Sequence, residues 1–526
     1  AASYFFGIPT SSLVGNDAAS NRERFRSDFR FLSPFIERLT RLIESRAVVD
    51  GEGQEGRRYL AWSNVLDREV VMAEENWHQA RLIPTSGISG AEEQERRATS
   101  ALLAVMSSVR EFGRGLTQPL GAPAGTVETY IEVPLSLGDR KLFPDGLIRV
   151  RRGSRAWTAL VEVKTGKNAL SAEQIENYLD IAKEQGFDAV LTISNEIPSI
   201  AGHHPTKLDK RKLRKVAVHH LSWSQILCEA VMQKEHRGVA DPDQAWILGE
   251  LIRYLEHPRS GALEFDDMGD SWVPVRQAVA SGILRATDKT APEVAARWDA
   301  LLRFASLQLG RKLGEEVVPV LSKKELAEPV LRSQALVSSL AAEGKLSGSI
   351  RIPHAIGPIA VTADLRAGQI ICHVDIDAPR EGRPTTRVKW LLRQIADAPE
   401  STRIEAFHAR TRGAGTAELL RDVRENPLLL VGDATKELRT FRVAASSPLG
   451  TKRGRGRGSF IDSVNDAINA FYADVVQHLK AWRPAPPQLR TLPPQEEKDP
   501  RLTSTALSSQ DGPEPAGGAA TEGNDS

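Results

Sequence analysis

The chain has 526 residues, 41% of them apolar and 26% charged, and a formal net charge of +1. This is the make-up of a soluble globular protein with room for more than one domain, and its balance excludes a molecule that holds polyanions by bulk charge, so any nucleic-acid affinity must come from local patches. Cys228 and Cys372 are far apart and flanked by apolar residues, which excludes a disulfide framework or a cysteine zinc site and fits a reducing cytoplasm. No apolar run approaches a membrane span and no signal peptide is visible; the expectation is a cytoplasmic protein with no membrane partner.

In chain order, residues 1–90 read as a helical extension: Phe25, Phe29, Leu32, Ile36, Leu39 and Leu42 recur at helical spacing, with an interruption at Pro34. Ala91 to Gly113 is a firmer helix, with Leu102, Met106 and Val109 as its stripe and Gly113 as its stop. Thr126 to Leu135 reads as a strand.

Lys141–Arg152 and Arg155–Lys164 are two strand-like runs around Gly153-Ser154, a two-residue hairpin loop. With that loop, Arg152 faces Arg155 and Asp145 falls opposite Glu162, their Cβ atoms roughly 4.5–5.5 Å apart. Glu162 and Lys164 share the face of Asp145, while Ala159, Val161 and Val163 point to the other side. Two carboxylates that close repel unless a cation lies between them. Hard divalent ions such as Mg²⁺ take such oxygens and keep waters, and a lysine alongside can hold or deprotonate one of those waters, which is equipment for metal-assisted phosphodiester hydrolysis. Glu343-Gly344-Lys345 and Glu496-Glu497-Lys498 repeat the Glu-x-Lys pattern without a Pro-Asp partner.

Ser171 to Asp180 opens a helix ending near Gly186, with Gln174 and Tyr178 one turn apart on one face. Here Phe143-Pro144-Asp145-Gly146, Leu160-Val161-Glu162-Val163-Lys164 and Gln174-x-x-x-Tyr178 together resemble the PD-(D/E)xK nuclease superfamily, in its RecB-type branch, over about residues 95–235. The resemblance implies an α/β (α+β) fold with a restriction-endonuclease-like αβββαβ core and Mg²⁺ or Mn²⁺ as cofactor. It implies that Asp145 and Glu162 bind the metal with the Val163 carbonyl as a further ligand, that Lys164 orients the attacking water, and that Gln174 and Tyr178 support the site or touch nucleic acid. Family members often add a glutamate from the helix before the first strand. Glu95, seven residues before Leu102, points inward and is the choice here; Glu111 points outward. Without the resemblance, Gln174 reads as a capping-box partner of Ser171, Tyr178 as core and Glu95 as a first-turn acid.

Asp188–Ser194 and Lys215–His220 read as strands, and Ser222–Glu235 as a helix. Between the two strands, Lys207, Lys210, Arg211, Lys212, Arg214 and Lys215 form a basic run suited to phosphates. His203-His204 and His219-His220 lack convergent spacing and read as structural. Asp241–Gly314 is mostly helical. From about Leu321 a second α+β unit begins, with strands at Ser349–Pro353, Ile359–Leu365, Gln369–Ile376 and Arg403–His408. An amphipathic Thr385–Ile395 carries Arg387, Lys389 and Arg393, and a long helix from Phe460 to Leu479 closes the unit. Lys452, Arg453, Arg455 and Arg457 form a flexible basic loop that, with Arg387, Lys389 and Arg393, suits a nucleic-acid clamp, or else an exposed loop in a protein-binding module. Pro484–Ser526 lacks the apolar residues to bury a core and is expected to be disordered.

The domains expected are therefore a helical extension (1–90), a PD-(D/E)xK-like domain (91–236), a helical region (237–320), an α+β C-terminal domain (321–483) and a disordered tail (484–526). The expected activity is a divalent-metal-dependent nuclease acting on nucleic acid, DNA first, in DNA repair or defence against foreign DNA. The alternative is a catalytically silent nucleic-acid-binding or protein-scaffold protein on the same fold.

Overall fold

The structure, a computed structural model, describes Ile83 and residues 90–486, except 138, 139, 199, 201, 263, 264, 412, 434 and 485. The extension expected over 1–90 and the tail expected over 484–526 lie, all but a few residues, outside the described residues. The described chain is mixed α/β, and none of its helices is long and apolar enough to cross a membrane.

In place of one helix over 91–113 there are two, α1 (Ala91–Ser108) and α2 (Arg110–Thr117), broken where Val109 turns extended (φ −100°, ψ 96°). Gly113 is no stop. It lies inside α2, where a Cβ would meet the Met106 carbonyl oxygen at 2.1 Å, so its bareness lets α2 fold back against α1.

The strand expected over 126–135 ends early, as β1 (Thr126–Ile131). A side hairpin of β2 (Leu135–Leu137) and β3 (Arg140–Leu142) follows. The run expected over 141–152 therefore breaks at Phe143-Pro144-Asp145, and β4 is Gly146–Arg152. β5 (Arg155–Val163), α3 (Ala172–Gln185), β6 (Ala189–Ser194) and β7 (Ala217–Ser222) complete a five-stranded sheet of order β1-β4-β5-β6-β7. β4 runs antiparallel to β1 and β5, and β5, β6 and β7 are parallel. Gly153, at φ +60°, makes the tight turn between β4 and β5. The register pairs Arg152 with Arg155 and Gly146 with Val161.

Seven consecutive residues of β5, from Trp157 to Val163, are buried, because both faces of the sheet are covered. Leu147, Leu160 and Val190 pack under α3 with Ile175, Tyr178 and Leu179. Ile148, Val161, Val163, Leu191 and Ile193 face the opposite core, with Leu102 and Met106 of α1. That core also holds α4 (Trp223–Val231), which runs into a π-helical turn at Met232–Arg237, and α5 (Pro242–Leu255).

The helical stretch expected over 237–320 is shared between two cores. α5 belongs to the first; α6 (Trp272–Ala280) and α7 (Ala291–Leu313) pack into the second. The second core lies on one face of a seven-stranded antiparallel sheet, built from β8 (Val318–Pro319), β9 (Lys345–Arg351), β10 (Ile359–Asp364), β11 (Gln369–Asp377), β12 (Arg403–His408), β13 (Thr416–Leu419) and β14 (Leu438–Pro448). Its order is β13-β12-β14-β11-β10-β9-β8. The helices of this half are α8 (Lys323–Ala327), α9 (Pro329–Glu343), α10 (Pro384–Gln394), α11 (Leu420–Glu425) and α12 (Phe460–Asp474). The closing helix expected to reach Leu479 stops at Asp474, where Val475 leaves helical geometry (φ −127°, ψ −63°). The rings of Trp272 and Trp298 meet Phe460 at 4.2 and 6.0 Å, which ties α6 and α7 to α12.

Candidate metal centre

The chemistry-bearing residues gather where β4 and β5 open. Asp145 is the residue before β4, and the hairpin register carries it opposite Glu162, the last but one residue of β5. Asp145 Oδ2 accepts the Val163 amide at 2.8 Å, which fixes its carboxylate against β5. Lys164 follows directly. Its amide donates to the Ile193 carbonyl at 2.7 Å and its carbonyl accepts from Trp223 Nε1 at 2.9 Å, so the backbone is clamped on both sides. Lys164 Nζ then lies 2.7 Å from Glu162 Oε1, 2.9 Å from Glu95 Oε1 and 3.0 Å from the Val163 carbonyl oxygen. Glu95 comes from α1, and its Oε2 accepts from the Thr165 amide at 3.3 Å and from Asn168 Nδ2 at 3.4 Å. The structure thus brings Asp145, Glu162, Val163, Lys164 and Glu95 together. Glu111 is half-buried with a sealed Oε2 that accepts no hydrogen bond, which differs from the outward direction its spacing suggests.

Charge in this group is unbalanced: three carboxylates meet one ammonium. Glu162 is 1% exposed, and neither of its oxygens receives a well-directed hydrogen bond. Burial, and next the neighbouring Asp145 charge, push its carboxyl up to about 7. Burial likewise raises Asp145, against the Val163 amide and Lys164, which pull it down. For Lys164, burial works against the ammonium, but Glu162 and Glu95 outweigh it and hold the group above its ordinary value. Lys164 is therefore a firm cation here, able to donate hydrogen bonds rather than take a proton.

The donor set fits a hard divalent cation. Mg²⁺ is usually held by one or two carboxylates and completes its shell with waters, and here the half-buried Asp145 lies beside the buried Glu162, whose Oε1 faces the Lys164 ammonium and whose Oε2 is left without a partner. Among the described residues no group of three or more His, Cys, Asp or Glu side chains is arranged around a common point; Glu95 is spent on Lys164 and the 165–168 loop.

Gln174 and Tyr178 lie behind the site. Gln174 Nε2 donates to the Tyr178 hydroxyl at 3.1 Å, which reaches the Phe143 carbonyl at 3.4 Å. Both hold the segment that carries Asp145. Ser171 caps α3 by accepting the Gln174 amide, so the capping contact is present as well.

The basic patches are more heavily engaged than their sequence suggests. Lys212 is half-buried and pairs with Asp180 at 2.8 Å and Glu176 at 3.6 Å on α3, while Lys207, Lys210, Arg211, Arg214 and Lys215 stay exposed. The 452–457 loop is not a free arm. The Met268 amide donates to the Arg453 carbonyl at 3.0 Å, Arg453 pairs with Asp267 at 3.4 Å and also with Asp270, and Arg455 pairs with Asp462 at 3.1 Å. Lys452 and Arg457 are exposed. Arg387 is buried and satisfies the Gly382, Arg380 and Leu438 carbonyls and Glu437, a structural duty.

One histidine of each pair, His204 and His220, does converge on Thr192, but in a closed network. His204 Nδ1 accepts the Thr206 amide (3.0 Å), leaving Nε2 to donate to Thr192 Oγ1 (2.8 Å). His220 Nε2 donates to the Glu196 carbonyl (2.9 Å), leaving Nδ1 to accept from the Thr192 hydroxyl (2.9 Å). The chain of donors uses both rings as neutral imidazoles, and burial pushes His220 down to about 4. Each ring nitrogen of His204 and His220 is spent, so the pair ties Glu196, His204 and Thr206 to β6 and β7.

Sequence reasoning missed Trp223, Asn168 and Thr165. Trp223 is the only one with a signal: an aromatic at the first position of a helix capped by Ser222, directly after a parallel strand. No protein-family model matches this chain, and no curated protein matches it.

Proposed function

We propose that the chain is a divalent-metal-dependent nuclease of the PD-(D/E)xK kind that hydrolyses phosphodiester bonds, with DNA as the expected substrate. One observation carries the reading: Asp145 and Glu162 lie side by side at the mouth of a hairpin, Glu162 buried, with the Lys164 ammonium 2.7 Å from its Oε1. The order α1, β1, β4, β5, α3, β6, with β5 and β6 parallel, supports a restriction-endonuclease-like core.

Asp145 and Glu162, with the Val163 carbonyl beside them, would hold Mg²⁺ or Mn²⁺. A bound ion of this type lowers the pKa of water and offsets charge developing on the phosphate. Lys164 donates hydrogen bonds to the incoming water or to a phosphate oxygen, and Glu95 aims it and keeps it charged. Gln174 and Tyr178 hold the Phe143 carbonyl, and through it the position of Asp145. A role in DNA repair or in defence against foreign DNA suits such a domain.

Incubation of the purified chain with plasmid and oligonucleotide DNA and RNA, in Mg²⁺, Mn²⁺ or EDTA, tests this. Cleavage is expected with either ion and not in EDTA, and Asp145→Ala, Glu162→Ala and Lys164→Ala should each abolish it with the fold intact. Normal cleavage by all three variants would overturn the assignment. So would salt-dependent DNA binding with no cleavage under either ion, which favours a silent binding protein.

A further inference from the structure

Beside Asp145 and Glu95 lies a cleft of about 390 Å³. Its rim is made of side chains that face solvent. Phe143 is 58% exposed and Ile131 48%, and the side chains of Arg96 and Glu132 are 70% and 60% exposed. Large apolar groups left in water beside an acidic site call for a partner with an apolar face. The Phe143 backbone is fixed, since its carbonyl receives the Tyr178 hydroxyl. Glu132, directly after β1, lies in the left-handed region (φ +51°), where a non-glycine residue is uncommon, and its amide donates to the Asp145 carbonyl at 3.3 Å. That turn presents Glu132 to Arg96 at 3.1 Å. An ion pair this exposed contributes little, so the guanidinium is readily redirected to a phosphate.

We infer that Phe143 and Arg96 form a subsite for one unpaired nucleotide, the Phe143 ring taking the base and Arg96 a phosphate of the same strand, so that the chain acts on single-stranded nucleic acid. The inference rests on the nuclease reading for the reaction but not for the binding. Two features favour a single strand. The cleft that Asp145 and Glu95 line, about 390 Å³, is near the lower end of small-molecule sites, which run from about 300 Å³, and so has room for one nucleotide and not for a duplex. A stiff duplex holds each nucleotide in its stack, whereas a flexible strand can lay a single one in such a cleft. Base stacking on an exposed aromatic also requires a base freed from its pair, and such stacking tolerates any sequence.

The test is fluorescence anisotropy of the full chain with a labelled oligothymidylate and with a matched duplex, Ca²⁺ replacing Mg²⁺. The single strand should bind at least about tenfold more tightly than the duplex. Phe143→Ala should lose about tenfold on the single strand alone, within the range of one stacked base. Phe143→Trp should restore it, and Arg96→Gln should flatten the salt dependence by about one unit of slope. An unchanged single-strand affinity in Phe143→Ala, equal losses on both substrates, or binding of neither by the wild type would overturn the subsite. If the Phe143 pattern holds but the wild type cleaves nothing in Mg²⁺ or Mn²⁺, the nuclease reading fails and the subsite stands. If cleavage needs Asp145 but Phe143→Ala binds as wild type, the reverse is true.

Discussion

Replacing Glu162 by glutamine should stabilise the metal-free protein while destroying its activity. Glu162 is sealed from solvent, and its carboxyl moves from an ordinary 4.5 to about 7. Because the folded value is the higher one, the group favours folding most below pH 4.5. That contribution is lost as pH rises through 7, where the folded protein must carry a buried charge. The shift corresponds to roughly 3 kcal/mol at pH 8, since one pKa unit is about 1.4 kcal/mol. Glutamine keeps the shape and removes the charge. It also leaves Lys164 with Glu95 as its remaining close partner, which returns some of the gain. A net gain of about 1–3 kcal/mol is expected at pH 8 in EDTA, read as a Tm higher by a few degrees, and almost none at pH 5. Added Mg²⁺ should raise the wild-type Tm more than the variant's, because only the wild type has the full charge that a cation offsets. A variant less stable than wild type at pH 8 in EDTA, or a gain independent of pH, would refute the claim that Glu162 is a strained, cation-deficient carboxylate.

Other perturbations follow from the same geometry. Lys164→Met leaves Glu95, Asp145 and Glu162 without their ammonium and should destabilise the metal-free protein by about 3 kcal/mol; thermal melts with and without Mg²⁺ should show the ion recovering part of the loss. Thr192→Val breaks the donor chain between His204 and His220 and should cost about 1–3 kcal/mol, with limited proteolysis striking the 195–216 loop first. Reversing Lys210 and Arg211 to glutamate should leave the unfolding free energy within about 0.5 kcal/mol of wild type, since both are exposed, yet reduce the salt slope of DNA binding by roughly 0.9 for each phosphate no longer neutralised. An unchanged slope would assign that run to solvation alone.

How far each half could be read from sequence depends on how local its determinants are. The β4–β5 hairpin was legible because a two-residue turn fixes register by itself: once Gly153-Ser154 is the loop, the facing of Asp145 and Glu162 follows without any distant contact. Glu95 was legible only as a helical phase, and what makes it part of the site, its bond to Lys164, spans 69 residues. The break between α1 and α2 was hidden because Gly113 looks like a stop, and only the fold shows that it is bare to let Met106 approach. The seven-stranded sheet shows the opposite limit. β14 has no tight turn to either neighbour; it arrives from far along the chain and inserts between β12 and β11. Its apolar positions Phe441 and Val443 alternate as a strand should, but alternation says which face is buried and not which strand lies alongside. Placement there is set by the shared core beneath, where Phe441 and Val443 join the cluster that includes Ile404, Val374 and Phe460. A site built on a hairpin is thus readable from a dozen residues. A binding surface on such a sheet is not, because its neighbours meet only after the whole sheet has closed over its core.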